Sequence, residues 1–276
     1  MRKAPSMKER ILNTHVNENQ LALFFLGQEG FIFKTPEQKT LMIDGFLTGD
    51  LLHEGMAKGR FYEPPIRPED LDFLDAAVFT HDHRDHLDPV TVRKLCEVND
   101  HCSIIVPAPL AGKAVSEYGV PAGRVIPARD SEVIEAAGIA VIPVPAAHEE
   151  LHPDSMGDYR ELGYRFDFDG ISVYHSGDCC VYDGLSERVG SADVVMLPVN
   201  GRSYYKLKSG LIGNMNLEEA VLLAKELKAK LFVPMHYDLF NYNRLPVSDI
   251  PAGIDLYGKE LCFKMFRPGE KLIYEN

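Results

Sequence analysis

Short β-type runs of apolar residues recur along the chain. LALFFLG (21–27), FIFKT (31–35), TLMIDGF (40–46), DAAVFT (75–80), SIIVP (103–107), IAVIPVPAA (139–147), ELGYRFDF (161–168), ISVYHSG (171–177), ADVVMLPV (192–199), KLFVPMH (230–236) and LCFKMF (261–266) each predict a strand. Helical patterns separate some of them. In LDPVTVRKLCEV, Asp88 offers an N-cap and Pro89 the first helical position. NLEEAVLLAKELKAK (216–230) has Asn216 as cap, Glu218 and Glu219 in its first turn and lysines in its last, as the helix dipole favours. Strands without intervening helices dominate the first third, whereas strands and helices alternate later. Two sheets flanked by helices accommodate both halves. The long Gly- and Pro-rich segment 45–71 reads as a lid, a partner-contact loop or, equally, a disordered insert.

Length and charge narrow the class. A chain of 276 residues without a composition break or an internal repeat reads as one α/β domain over 1–276. Lys+Arg of 29 against Asp+Glu of 41 leaves a net charge of −12, which repels a phosphate backbone and argues against a nucleic-acid partner. No apolar stretch approaches the ~18–20 residues of a membrane span. The opening MRKAPSMKERILNTHVNENQ lacks the apolar core of a secretory signal. Five cysteines without paired spacing read as reduced thiols of a cytoplasmic protein. Cys179 and Cys180 read as packing residues, although Asp178 beside them keeps a metal-site role open.

The chemistry is concentrated in FTHDHRDHLDP (79–89), which packs His81, His83 and His86 with Asp82, Asp85 and Asp88 into one turn. Further ligand-type residues follow other strands: IAVIPVPAA runs into His148, ISVYHSG into Asp178 and KLFVPM into His236. Side chains beyond the carboxyl ends of strands converge over a rigid edge. Imidazole with carboxylate suits a borderline divalent ion, and seven ligands exceed what one tetrahedral ion takes. The set divides between two ions: His81, His83 and His148 for the first, Asp85, His86 and His236 for the second, with Asp178 shared. Crowded polar groups at a sheet edge cost stability unless something compensates them. Such a pair activates a hydroxide nucleophile at neutral pH and polarises the electrophile, with Asp85 and Asp178 as catalytic groups.

A substrate side is also readable. ADVVMLPV leads into NGRSYYKLKSG, where Arg202, Lys206 and Lys208 could meet a phosphate or carboxylate and Asn200, Tyr204 and Tyr205 could bind sugar hydroxyls. His175, on the face of Ile171 and Val173, reads as a substrate contact or a buried support for a ligand. Tyr237 could donate to an oxyanion or simply pack. His152 reads as a supporting or surface residue.

THDHRDH at 80–86 resembles the T-H-x-H-x-D-H signature of the metallo-β-lactamase superfamily, and His148, SGD at 176–178 and PMH at 234–236 follow in its order. The resemblance implies a four-layer αββα sandwich of two mixed β-sheets with helices outside. FLGQEGFIFK (25–34), YHSGD (174–178) and GNMNLEEAVLLAKELKAKLFVPMHYDLFNYN (213–243) are similar to the L-ascorbate-6-phosphate lactonase branch. That likeness implies a cytoplasmic, oligomeric enzyme using two Mn²⁺ or Zn²⁺ ions, whose metal-bound hydroxide opens a sugar-acid lactone phosphate such as L-ascorbate 6-phosphate. Phosphodiester or RNA cleavage uses the same ions, and a non-catalytic sugar-phosphate sensor could inherit the fold. Di-iron oxidoreductases of this type usually carry a carboxylate where this chain has His83.

Overall fold

A computed structural model describes residues 4–49 and 60–276. Residues 50–59, the middle of the expected lid segment, lie outside the described residues. Among the described residues, thirteen strands form two sheets. The first is ordered β13-β1-β2-β3-β4-β5-β6, with β1 (Gln20–Gly27), β2 (Gly30–Lys34), β3 (Thr40–Ile43), β4 (Ala76–Val78), β5 (Ser103–Pro107), β6 (Val125–Ala128) and β13 (Lys271–Glu275). The second is ordered β12-β11-β10-β9-β8-β7, with β7 (Ile134–Ala136), β8 (Ile139–Pro145), β9 (Leu162–Phe168), β10 (Ile171–His175), β11 (Val194–Pro198) and β12 (Leu231–Met235). Both are mixed: β3 to β6 and β10 to β12 run parallel, and the remaining neighbours pair antiparallel.

The apolar blocks of the sequence exist because both faces of most strands are covered. In β1, Leu21, Leu23 and Phe25 point into the layer between the sheets, where they join Phe31, Phe33, Phe166, Val173 and Met196. Ala22, Phe24 and Leu26 of the same strand pack outward with residues of α1 (Met7–Leu12) and α2 (Pro89–Val98). The short helices α3 (Ala111–Ser116), α4 (Leu185–Val189) and α5 (Tyr204–Lys208) follow in the chain, and the outer face of the second sheet is covered by α6 (Leu217–Glu226) and α7 (Asp249–Tyr257). Alternation disappears when neither face meets water. The expected αββα sandwich is the observed architecture.

Capping follows the sequence. Asp88 accepts from the N–H groups of Val90 and Thr91, and Asn216 forms a capping box with Glu219. Four segments depart from expectation. LCFKMF (261–266) is not a strand and contributes one bridge, Phe263 to Phe232; the terminal strand is instead KLIYE, β13. Its alternating half-exposed positions made a weak apolar signal. The short β6 and β7, of 4 and 3 residues, were also missed. Pro143 and Pro145 are tolerated in β8 because β7 pairs only up to Val141, which leaves that part of β8 an edge. No helix among the described residues is long and apolar enough to cross a membrane.

Candidate metal centre

Four strands end at one place. The turn after β4 carries His81 to His86, while β8, β10 and β12 lead into His148, Asp178 and His236. Ligand atoms of His81, His83, His148 and Asp178 lie within 4.8 Å of one another, and those of Asp85, His86 and His236 form a second such group. The structure thus brings together all seven side chains expected to share ions. The two groups meet at Asp178. Its Oδ2 faces His81 Nε2 at 3.8 Å and His148 Nε2 at 3.6 Å, while its Oδ1 faces His86 Nε2 at 3.5 Å and His236 Nε2 at 3.3 Å.

The donors fit divalent ions. Asp85 Oδ2 lies 3.5 Å from His236 Nε2 and 3.8 Å from His86 Nε2. Bonds of about 2.1 Å in a tetrahedron place ligand atoms roughly 3.4 Å apart, so this spacing can accommodate such an ion. Among the described residues, the buried Nε2 atoms of His81, His86 and His148 have no hydrogen-bond partner. Buried polar atoms without partners are costly, and an ion at their focus would satisfy them. His83 completes the first group, its ring centroid 4.6 Å from that of His81 and 4.9 Å from that of His148.

Outer contacts orient these rings. Asp44, at the end of β3, accepts from Thr80 N–H and Thr80 Oγ1 and lies 2.8 Å from His86 Nδ1. Thr80 Oγ1 in turn lies 2.9 Å from His81 Nδ1. A carboxylate behind a histidine fixes the ring and raises its basicity. Gly177 permits this packing: with φ +59°, a Cβ there would sit 2.7 Å from Thr80 Cβ. Asn214 donates to Asp178 Oδ1 at 2.8 Å. Gln28, Asp44 and His236 all adopt left-handed backbone angles, at φ 59°, 45° and 56°. Such strain persists where the surroundings over-determine it.

Charge divides the two groups. Burial pushes His81 far below its usual range and His148 down to about 4, favouring neutral imidazoles ready to ligate. Burial also opposes charge on His236, but the Asp178 and Asp85 carboxylates outweigh it and raise this histidine to about 9. His86 is raised for the same reason. Asp178 is buried too, yet His236 and His86 hold it well below the ordinary carboxylate range. Glu29, fully buried beneath the site, is pushed well up by burial and by Asp178. Protons on His86 and His236 thus occupy the role a divalent cation can take over.

The expected substrate residues fall elsewhere. The cleft above the two groups is lined by Arg84, Leu211, Ile212, Phe240, Tyr242 and Asn243 together with the ligand-type residues. Arg202 is not directed into it: its guanidinium forms a bidentate pair with Glu219 at 2.6 and 2.8 Å. Lys206 donates to the Asn200 and Gly201 carbonyls. Tyr205 is 80 % exposed and, like Tyr204, projects from the short helix α5 (Tyr204–Lys208) outside the cleft lining. Lys208 lies over the Tyr204 ring. Asn200 is buried behind the site, where its side chain accepts from Asn214 and donates to Asn243. His175 is fully enclosed, with Nε2 2.9 Å from the Glu29 carbonyl, so it supports the floor and meets no substrate. Tyr237 is buried and its hydroxyl reaches the Phe266 carbonyl, which makes it a packing residue. His152 is largely exposed and pairs with Glu161. Cys179 is buried in the outer core and donates to the Cys180 carbonyl; neither thiol joins a ligand group.

Sequence reasoning missed Asp44, Thr80, Gln28, Asn214 and Arg84. Asp44 had a signal, since an acid ending the apolar TLMID run resembles the other strand-end acids.

These features define the protein's class: an αββα sandwich with a His/Asp cluster at its strand ends that could hold metal. Residues 40–237 match the family described as the Beta-lactamase superfamily domain, and the chain belongs to that family. A UPF0173 metal-dependent hydrolase of Pyrococcus horikoshii is 28% identical over 263 residues, covering 90% of this chain and 97% of that protein. An isothiocyanate hydrolase from Delia radicum gut bacteria superposes with TM-score 0.70 at 18% identity, over 92% of this chain and 99% of that one. CmlA, a diiron β-hydroxylase from Streptomyces venezuelae, superposes with TM-score 0.64 at 16% identity, over 95% of this chain and 55% of that one. The last two share the fold while differing in named reaction, so the choice of chemistry rests on this chain's own residues.

Proposed function

We propose that the protein is a metal-dependent hydrolase that opens a small ester or lactone at a two-cation site. The observation carrying this reading is the division of the Asp178 carboxylate, one oxygen toward His81 and His148 and the other toward His86 and His236. Asp178 would bridge the ions, with His81, His83 and His148 on one and Asp85, His86 and His236 on the other. Zn²⁺ and Mn²⁺ are the candidate ions, because mixed imidazole and carboxylate donors suit both. Bound there, they supply Lewis acidity, acidifying water and polarising the carbonyl.

The chain's own residues do the rest. Asp85, at the cleft floor, would help hold the second ion and orient a water for attack. Asp44 and Thr80 hold the His86 and His81 rings in their ligating orientation. Leu211, Ile212, Phe240 and Tyr242 give the cleft an apolar wall that limits water, and Arg84 supplies the cation that an anionic substrate group needs. This assigns to Arg84 the role first expected of Arg202 and Lys208. A sugar-acid lactone phosphate such as L-ascorbate 6-phosphate remains the favoured substrate, supported by the likeness of residues 25–34 and 213–243 to the lactonase branch. His83, in place of a carboxylate, favours hydrolysis over di-iron oxidation.

The test combines elemental analysis with a pH-stat screen of sugar lactones, lactone phosphates, thioesters and phosphodiesters. Expected are two divalent ions per chain and turnover of a lactone phosphate that stops on chelation and returns with Zn²⁺ or Mn²⁺. Metal-independent turnover, or none on any ester or lactone, overturns the reading; turnover confined to phosphodiesters replaces its substrate class.

A further inference from the structure

The β1–β2 turn, Gly27–Gly30, brings two buried side chains to the Asp85–His86–His236 group: Glu29, whose Oε2 lies 3.9 Å from His86 Nδ1, and Gln28, which reaches Asp85 and His236. Gln28 is buried, and its Nε2 donates to Asp85 Oδ2 at 2.8 Å. The same nitrogen lies 3.0 Å from His236 Nε2 and 3.3 Å from His236 Nδ1. Near-equal distances to both ring nitrogens put the amide against the face of the imidazole, since an in-plane approach to either lone pair would separate them. The Nε2 edge of the ring is thereby left to Asp178 and Asp85, whose oxygens lie 3.3 and 3.5 Å from it. The Gln28 carbonyl also accepts the His236 backbone N–H at 3.2 Å. One residue thus touches two of the group's three members through three separate contacts.

Gln28 is itself held from the other side. Its backbone N–H donates to the Tyr62 hydroxyl at 3.2 Å, and that hydroxyl donates to Asp238 Oδ1 at 2.9 Å. Tyr62 is seated against Gly27, where a Cβ would come within 2.7 Å of its ring. Arg60 then closes the base of the 45–71 segment: its guanidinium donates to the carbonyls of Phe46, Thr48 and Tyr62. A continuous chain of contacts runs from that base through Tyr62 and Gln28 to Asp85 and His236.

We infer that Gln28 is the positioning residue of the second cation position and that Tyr62 fixes it there, so that the base of the 45–71 segment sets the affinity of that position alone. The inference rests on the two-cation reading above. Nothing in the contacts of Gln28 reaches His81, His83 or His148, which is why the first position should be indifferent to it. Left-handed backbone at residue 28 favours Asn or Gly over other replacements, so Gln28→Asn keeps the turn while its side chain falls short of Asp85. Gln28→Met keeps the length and loses the donor.

Calorimetric titration of the metal-stripped full chain with Zn²⁺ or Mn²⁺ alone, without substrate, tests this. For the wild type two binding steps are expected, and Asp85→Asn identifies which belongs to the second position. Gln28→Asn and Gln28→Met should weaken that same step about 10- to 100-fold, the usual cost of losing an outer contact to a ligand, and leave the other unchanged. Tyr62→Phe should weaken it about two- to tenfold. A wild type that binds one ion or none overturns the two-cation reading and this inference with it, before any variant is measured. A wild type that binds two, with both Gln28 variants unchanged or weakened equally at both steps, overturns this inference alone. Tyr62→Phe matching the wild type removes Tyr62 from the chain of contacts and overturns the role of the loop base.

Discussion

The floor and the rim of the cleft are built differently. The ligand-type residues of the floor sit in the turns that follow β4, β8, β10 and β12, strands whose residues are buried or half-buried, and the strand ends bring those turns together. The rim, formed by residues such as Leu211, Ile212, Phe240 and Tyr242, lies on loops, where Phe240 and Tyr242 pack with Phe46, Leu239 and Tyr62. A site of this kind separates its labours. Rigid strand ends fix chemistry to a fraction of an ångström, and loops fix what enters, at lower precision.

The sharpest way to break that contrast is at Asp178. Asp178→Ala removes the shared carboxylate and should cost at least about 10³-fold in kcat/KM, with both ions lost or weakened by elemental analysis. Retained turnover would mean the floor is not where chemistry happens. Asp44→Ala, one layer out, should weaken metal binding about 10- to 100-fold with the fold intact by circular dichroism. At the rim, Arg84→Ala should raise KM for an anionic substrate about tenfold and leave that for an uncharged ester near the wild-type value. Equal effects on both would deny Arg84 its discriminating role.

Titration sharpens the contrast within the floor. His236 is raised from its ordinary value of 6.5 to about 9. A raised histidine contributes stability that is complete below pH 6.5 and is lost as pH rises through about 9. The metal-stripped protein should therefore melt at falling temperatures across that window, whereas the metal-loaded protein should not, because the ion replaces the proton. A flat profile for the stripped protein would remove His236 as its carrier. The smallest expected effect is Arg202→Ala, within about twofold in kcat/KM, since its guanidinium faces Glu219 and the loss is that of a surface pair.

The same contrast explains what was legible. His81, His83, Asp85, His86, His148, Asp178 and His236 could be gathered from the sequence because each follows an apolar run, and a strand end is a position that a one-dimensional pattern can mark. Asn200, Arg202, Tyr205 and Lys208 also follow such a run, β11, and the same rule misplaced them. Their chain turns aside into α5: Arg202 pairs with Glu219, Asn200 with Asn214, Lys208 lies over Tyr204, and Tyr205 is exposed. Pairing between distant loops leaves no periodic trace. Asp44 ends an apolar run as the other acids do, but its action through His86, like that of Gln28 through Asp85 and His236, shows only in three-dimensional neighbours. The missed β13 shows the converse of the strand rule, since a half-exposed edge gives little apolar signal.

The left-handed backbone at Gln28, Asp44 and His236 carries a practical lesson for engineering. Copying the side chains of this cluster onto another scaffold would not reproduce it, because ordinary strands and turns aim those side chains differently. A transplant must bring the bent stretches of main chain along, together with the neighbours that keep them bent, or the copied donors will point past one another.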